Sequence, residues 1–273
     1  DECVHVLNGA KCFAAGDKTK GYFQVLLEAS ARKFMAFACP LGVFEYCRLP
    51  MGYKNSAAWF QRCMQTILEQ LMFSGLLQYI DDTLIYGKDE DELLDRLEAY
   101  FDVLVRHNVK LHPGKFTLFA KQLQWCGKDV SAGGLKPPQD TIDAALKMAE
   151  PDTLAEMMSF VYGVAWFRGH LPRFAEVAAP LYDLWRDTLA PFKRKSKSRA
   201  AKFKLCDLPA WATKGRKAFE EVKQSMADAL RTAYFDPELK TCVYADASTE
   251  FWCLAVTQCK PGDELLPWDQ QDG

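Results

Sequence analysis

The chain has 273 residues, 49% hydrophobic and 26% charged, with a net charge of −2 at pH 7. These values describe an ordinary globular protein with length for about two domains, and they exclude a global basic field, leaving any polyanionic partner to local patches. The ten cysteines form no CxxC pair and no Cys/His cluster at zinc spacing, which reads as free thiols in a reducing compartment, and neither a signal peptide nor an apolar run of about 18 residues points to a membrane.

The chain begins at Asp1 rather than Met, as expected of a piece of a longer protein. "KTKGYFQVLLE" (18–28) alternates Tyr22, Gln24 and Leu26 against Phe23, Val25 and Leu27, predicting a strand. "KFMAFACPLGVFEYCRLPMG" (33–52) predicts a short hairpin turned at Pro40-Leu41-Gly42. From Asn55 a helix is expected, striped by Phe60, Met64, Ile67, Leu68 and Leu71. "QYIDDTLIYG" (78–87) follows as a hairpin with Asp81 and Asp82 at its tip. The run 88–108 predicts an amphipathic helix. Its first turn is acidic, Arg106 and His107 stand in its last turn, and Leu94, Leu97, Phe101, Leu104 and Val105 form its buried stripe. A strand is expected around "LQWCGKDVS" (123–131).

Strand, hairpin, helix, hairpin, helix and strand in that order fit an α+β fold, an antiparallel sheet backed by helices on one face. In such a sheet Asp17, just ahead of the first strand, can face Asp81 and Asp82. Adjacent acids in an apolar run read as a solvated turn, or as a pair whose mutual repulsion a cation relieves. Three carboxylates on adjacent strand ends suit Mg²⁺, which takes one or two protein carboxylates and completes its shell with water and phosphate. Two such ions about 4 Å apart serve phosphoryl transfer.

Several ordered stretches make the chain similar to a known family: "FAAGDKTKGYFQV", "RLPMGYKNSAAWFQ", "YIDDTLIYG", "KLHPGKFTLFAKQLQWCGKDVSAGGLKP", "SFVYGVAWFRGHLPRFAEVAAPL" and "YADAS". The chain resembles, over nearly its whole length, the reverse transcriptase of gypsy-type LTR retrotransposon polyproteins. The resemblance implies a polymerase palm over 1–129, a helical thumb and connection over 130–190, a basic linker over 191–210 and a truncated RNase H-like α/β domain over 211–273. It implies that Asp17, Asp81 and Asp82 hold two Mg²⁺ ions, with Mn²⁺ as an alternative, while a primer 3′-hydroxyl attacks the α-phosphate of a dNTP. Tyr22 falls at the family's sugar gate. Met51 and Gly52 fall beside the incoming nucleotide, Gly52 allowing close backbone approach, and Asn55 reads equally as an N-cap. Gln61 is a template contact or a solvated helix glutamine, and Tyr79 stands on the template-primer side. Lys115 falls near the nucleotide phosphates, a proton donor to pyrophosphate or a plain surface lysine. Trp125, Cys126 and Gly127 match the hairpin that grips the primer, though Trp125 also reads as a core aromatic.

The run "PFKRKSKSRAAKFK" (191–204) reads as a solvated basic insertion or a backbone contact to nucleic acid. Asp246 matches the first metal-binding carboxylate of RNase H, but Phe251 and Cys253 replace the family's glycines and its remaining acids are missing, so RNase H activity is not expected of this chain. The expected partners are an RNA template, a DNA primer, dNTPs, RNA–DNA heteroduplex, and protease and integrase domains of one polyprotein. The expected location is intracellular, in the cytoplasm or a virus-like particle. The alternative is an inactive retroelement remnant that folds or binds nucleic acid without turnover.

Overall fold

The computed structural model describes residues 2–193, 196–247 and 252–266. The chain divides into two units, residues 1–134 and 135–273. In the first, strand β1 (Cys12–Asp17) is followed by a 3₁₀ turn (Gly21–Gln24), a short helix α1 (Ala29–Arg32), and the hairpin β2 (Ala36–Cys39) and β3 (Gly42–Glu45). Helix α2 (Ser56–Ile67), hairpin β4 (Leu76–Tyr79) and β5 (Asp82–Gly87), and helix α3 (Glu90–Arg106) come next. Strands β6 (Thr117–Ala120), β7 (Gln122–Trp125) and β8 (Lys128–Ser131) complete the unit, and β9 (Gly134–Lys136) sits at its boundary.

The main sheet has the order β4-β5-β1-β6, with every pairing antiparallel. Cys12 and Ala14 of β1, Leu76 of β4 and Ile85 of β5 pack against Leu68, Leu93, Leu97, Tyr100 and Leu104. This is the sheet backed by helices that the order of patterns predicts. Helix α3 starts where its sequence directs: the Asp89 side chain caps the amide of Glu92 at 2.9 Å, and Glu90, Asp91 and Glu92 face the positive end of the helix dipole.

Three local expectations are corrected. The segment after Asp17 is not a strand, because Lys20 turns into the left-handed region (φ 49°) and starts the 3₁₀ turn. The Gln24 side chain replaces strand pairing, donating to the carbonyls of Thr19 (2.6 Å) and Lys110 (2.8 Å) and accepting from the Lys110 amide (2.7 Å). Tyr22 packs with Val25 and Leu27 on Leu49, Phe60 and Met64, while Leu26 is exposed, so the buried set does not follow the strand alternation. The strand around 123–131 is instead the hairpin β7–β8, with Cys126 (φ 49°) and Gly127 (φ 73°) in left-handed turn positions.

The buried row of α3 is Leu93, Leu97, Tyr100 and Leu104; of the expected stripe Leu94, Phe101 and Val105 are exposed. Sequence spacing allows two neighbouring rows of apolar residues, and the sheet selects one. Leu93→Ala will therefore cost about 2–5 kcal/mol in urea unfolding, whereas Leu94→Ala will stay within about 0.5 kcal/mol. Equal losses would mean that the helix is rotated.

The second unit is helical: α4 (Gln139–Lys147), α5 (Leu154–Ala165), α6 (Phe174–Leu189), α7 (Lys197–Ala200) and α8 (Arg216–Ala227), followed by the hairpin β10 (Lys240–Ala247) and β11 (Trp252–Cys259). Thr153 and Glu156 form a reciprocal capping box at the start of α5. Ile142, Phe160, Leu181, Trp211, Phe219 and Met226 belong to one core. Ala200, inside the basic run, and Leu205, just after it, join this core, with Phe192 and Phe203 packed against it, so the run is anchored rather than a free solvated insertion. Arg194 and Lys195 of that run lie outside the described residues. Among the described residues no helix is long and apolar enough to cross a membrane.

Candidate active site

The register of the main sheet assembles the site. Asp17 ends β1 directly opposite Asp82, the first residue of β5, and Asp81 occupies the turn between β4 and β5. One carboxylate oxygen from each of the three lies within 4.8 Å of the others. The convergence expected from the adjacent acids is present.

The turn that presents the acids is strained and braced. Ile80 has φ 53°, a left-handed conformation disfavoured for a β-branched residue. Gln61 of α2 holds it: its Oε1 accepts from the Ile80 amide at 2.5 Å, and its Nε2 donates to the Gln78 carbonyl at 3.2 Å. Within the hairpin, Gln78 Nε2 donates to the Ile80 carbonyl at 2.6 Å.

The electrostatics are those of a like-charge cluster. Burial first, then the charges of Asp81 and Asp17, hold the Asp82 carboxyl above its ordinary range, against the pull of Lys18 and Lys115. Lys115 donates to Asp17 Oδ2 at 2.8 Å in a largely exposed ion pair, and this hydrogen bond raises the lysine. Asp17 Oδ1 is buried and accepts no hydrogen bond. A buried carboxylate oxygen without a donor, amid two more acids, is what a hard cation with oxygen ligands would satisfy. The residues fit a divalent metal.

Asp17, Asp82 and Lys115 also line a cavity of about 350 Å³, together with Gln124, Trp125, Cys126 and Gly127. Trp125 Nε1 is buried with no acceptor. Burial, and then the charge of Asp82, pushes the Cys126 thiol up to about 12. A larger cleft of about 900 Å³ lies within the helical unit among Ala145, Phe160, Val164 and Met226 and is lined mostly by apolar groups.

The other expected residues stand nearby with different surroundings. Tyr22 is half-buried, its ring edge-on to Phe60 at 5.3 Å. It follows Gly21, where an added Cβ would lie 3.5 Å from the Asp81 Cβ. Tyr79 is exposed on β4 across from Asp82. Met51 is exposed ahead of α2, and neither it nor Gly52 lines the acid cavity. Gly52 has φ 81° with open space around it, so within this unit it serves a left-handed turn rather than close packing. Asn55 precedes α2 without a side-chain cap. The backbone of Asp246 lies in β10 opposite Cys253, while the Asp246 side chain and residue 251 lie outside the described residues.

The residues that the sequence reading missed lie beneath the acids. Lys18 is 2% exposed, and its Nζ donates to Gln78 Oε1 at 2.6 Å and Thr83 Oγ1 at 2.7 Å. Burial lowers this lysine to about 8, opposed by Asp81, Asp82 and Asp17. The available signal was polar Gln78 and Thr83 interrupting two apolar strands.

A helix-backed antiparallel sheet with three acids at one end has the form of a polymerase palm, and the comparisons point the same way. Residues 1–130, nearly all of this first unit, match the family described as reverse transcriptase (RNA-dependent DNA polymerase). The chain is 30% identical over 181 residues, 66% of its length, to the Retrovirus-related Pol polyprotein from transposon 297 of Drosophila melanogaster. It is 25% identical over 267 residues, 98% of its length, to the Transposon Tf2-3 polyprotein of Schizosaccharomyces pombe. It spans only 17% and 19% of those two polyproteins. In fold it is similar to the foamy viral protease-reverse transcriptase solved with RNA/DNA hybrid: TM-score 0.77 and 21% identity, covering 93% of this chain and 33% of that one. The likeness is thus to reverse transcriptases carried in transposon polyproteins.

Proposed function

We propose that this chain carries the palm and thumb of an RNA-directed DNA polymerase. It joins a primer 3′-hydroxyl to the α-phosphate of a dNTP on an RNA template and releases pyrophosphate. The observation that carries the reading is the convergence of Asp17, Asp81 and Asp82, with Asp17 Oδ1 buried and unpartnered. These side chains would hold Mg²⁺, as a pair of ions, with Mn²⁺ able to replace it. When bound, such ions acidify the attacking hydroxyl and offset charge on the leaving oxygen.

The chain's own groups do the rest. Lys115, exposed at the surface and paired with Asp17, supplies a cation and a proton for the departing pyrophosphate. Tyr22 walls the sugar side of the nucleotide and crowds a 2′-hydroxyl, and Met51 and Gly52 border the base. Trp125, Cys126 and Gly127, which line the same cavity as Asp17 and Asp82, seat the primer end, and Tyr79 lies toward the template. Support for an RNA–DNA substrate comes from the foamy viral relative solved with such a hybrid. Support for protease and integrase neighbours comes from relatives that are polyproteins.

Primer extension by the polymerase containing this chain, on an RNA template, tests the reading. Chelation with EDTA will reduce extension to background, and excess Mg²⁺ will restore it. Extension that continues undiminished in EDTA would sink the proposal.

A further inference from the structure

Lys18 occupies a position that an ordinary lysine avoids. It is 2% exposed, and among the described residues no carboxylate stands in ion-pair contact with it. Its ammonium is held by neutral oxygens: Gln78 Oε1 at 2.6 Å, Thr83 Oγ1 at 2.7 Å and the Asp81 carbonyl at 3.5 Å. Those acceptors are themselves fixed. Thr83 donates to Gln78 Oε1 at 2.7 Å, and the buried Tyr100 hydroxyl donates to Thr83 Oγ1 at 3.2 Å. Burying a cation is costly unless its surroundings compensate. The compensation here is the cradle of oxygens together with three carboxylates just beyond it.

We propose that Lys18 is a positioning residue, an internal counter-cation that keeps Asp17, Asp81 and Asp82 assembled without metal and lowers the affinity of the cluster for divalent ions. The inference rests on the metal reading above and concerns how that site is tuned. Its logic is reciprocal. A fixed positive charge that stabilises the metal-free acids must repel an ion that binds them, and the coupling is the same seen from either side. Gln78 and Thr83 also bond to each other directly, a contact that does not involve the lysine, so deleting the charge need not delete all support under the turn.

The test is Mn²⁺ binding by the full chain at near-neutral pH, followed through the electron paramagnetic resonance signal of the free ion. Lys18→Met, which removes the charge at similar size, will bind Mn²⁺ about tenfold tighter. Lys18→Gln, which keeps a donor for Gln78 without the charge, will do the same. Both will gain more melting temperature from Mn²⁺ than the parent gains, since ligand stabilisation follows affinity. Equal or weaker affinity in folded Lys18→Met would show that the lysine only props the turn, and parental affinity in Lys18→Gln would assign the effect to hydrogen bonding. Either overturns the inference, as would failure of both variants to fold. Asp82→Asn separates this from the reading beneath it: if that variant binds Mn²⁺ as well as the parent, the metal site itself is wrong.

Discussion

Asp81→Asn will lower primer extension by roughly a hundredfold to ten-thousandfold while leaving the protein folded. Metal-assisted charge stabilisation supplies several kcal/mol of the barrier reduction, and each ~1.4 kcal/mol is a factor of ten in rate. Asp81 lies in the exposed turn between β4 and β5, and asparagine is as tolerant of turns as aspartate. Removing one of three like charges within 4.8 Å also relieves repulsion. The variant will therefore melt no lower than the parent in EDTA, and circular dichroism will show the same fold. Loss of activity without loss of stability is the signature of a site whose arrangement serves chemistry rather than folding. Asp91→Asn, an exposed acid on α3, supplies the control and will extend primer normally. Near-parental extension by Asp81→Asn would reduce the adjacent acids to a solvated turn.

The acids were legible because they break a local rule. Two carboxylates inside Leu76–Tyr86 contradict the burial that the run demands, and a sequence that contradicts itself locally marks a functional site. The hairpin around them was legible for a related reason: its flanking strands are short and apolar, and its tip is polar. What escaped depends on partners distant in sequence. Lys18 reads as one more surface lysine until Gln78 and Thr83 close over it. The alternation after Asp17 reads as a strand until Lys20 takes a left-handed turn and Gln24 bonds the backbone at Lys110. In α3 the pattern permits Leu93 or Leu94 as the first buried residue, and only packing against the sheet decides. Local period is carried by the sequence; the choice between adjacent faces is made by tertiary contact.

Gln61 illustrates the same limit and leads to the second large effect. By sequence it is a template contact or a solvated glutamine, yet both ends of its amide are engaged by the backbone of the acid turn. Gln61→Leu keeps approximate size and helix propensity but strips the Ile80 amide of its acceptor and the Gln78 carbonyl of a donor. A buried backbone group left unpaired costs about 1–3 kcal/mol, and Ile80 already sits in a conformation it disfavours. The turn will relax, and a displacement near 1 Å in a reacting group costs on the order of a hundredfold in rate. The expected result is a fall in kcat of about that size, with the KM for template-primer nearly unchanged. A template contact makes the opposite prediction, a raised KM with kcat preserved. Gln61→Glu sharpens the comparison, because its carboxylate can still accept from the Ile80 amide and will recover part of kcat. If Gln61→Leu shifts only KM, Gln61 acts on the nucleic acid and the turn holds itself.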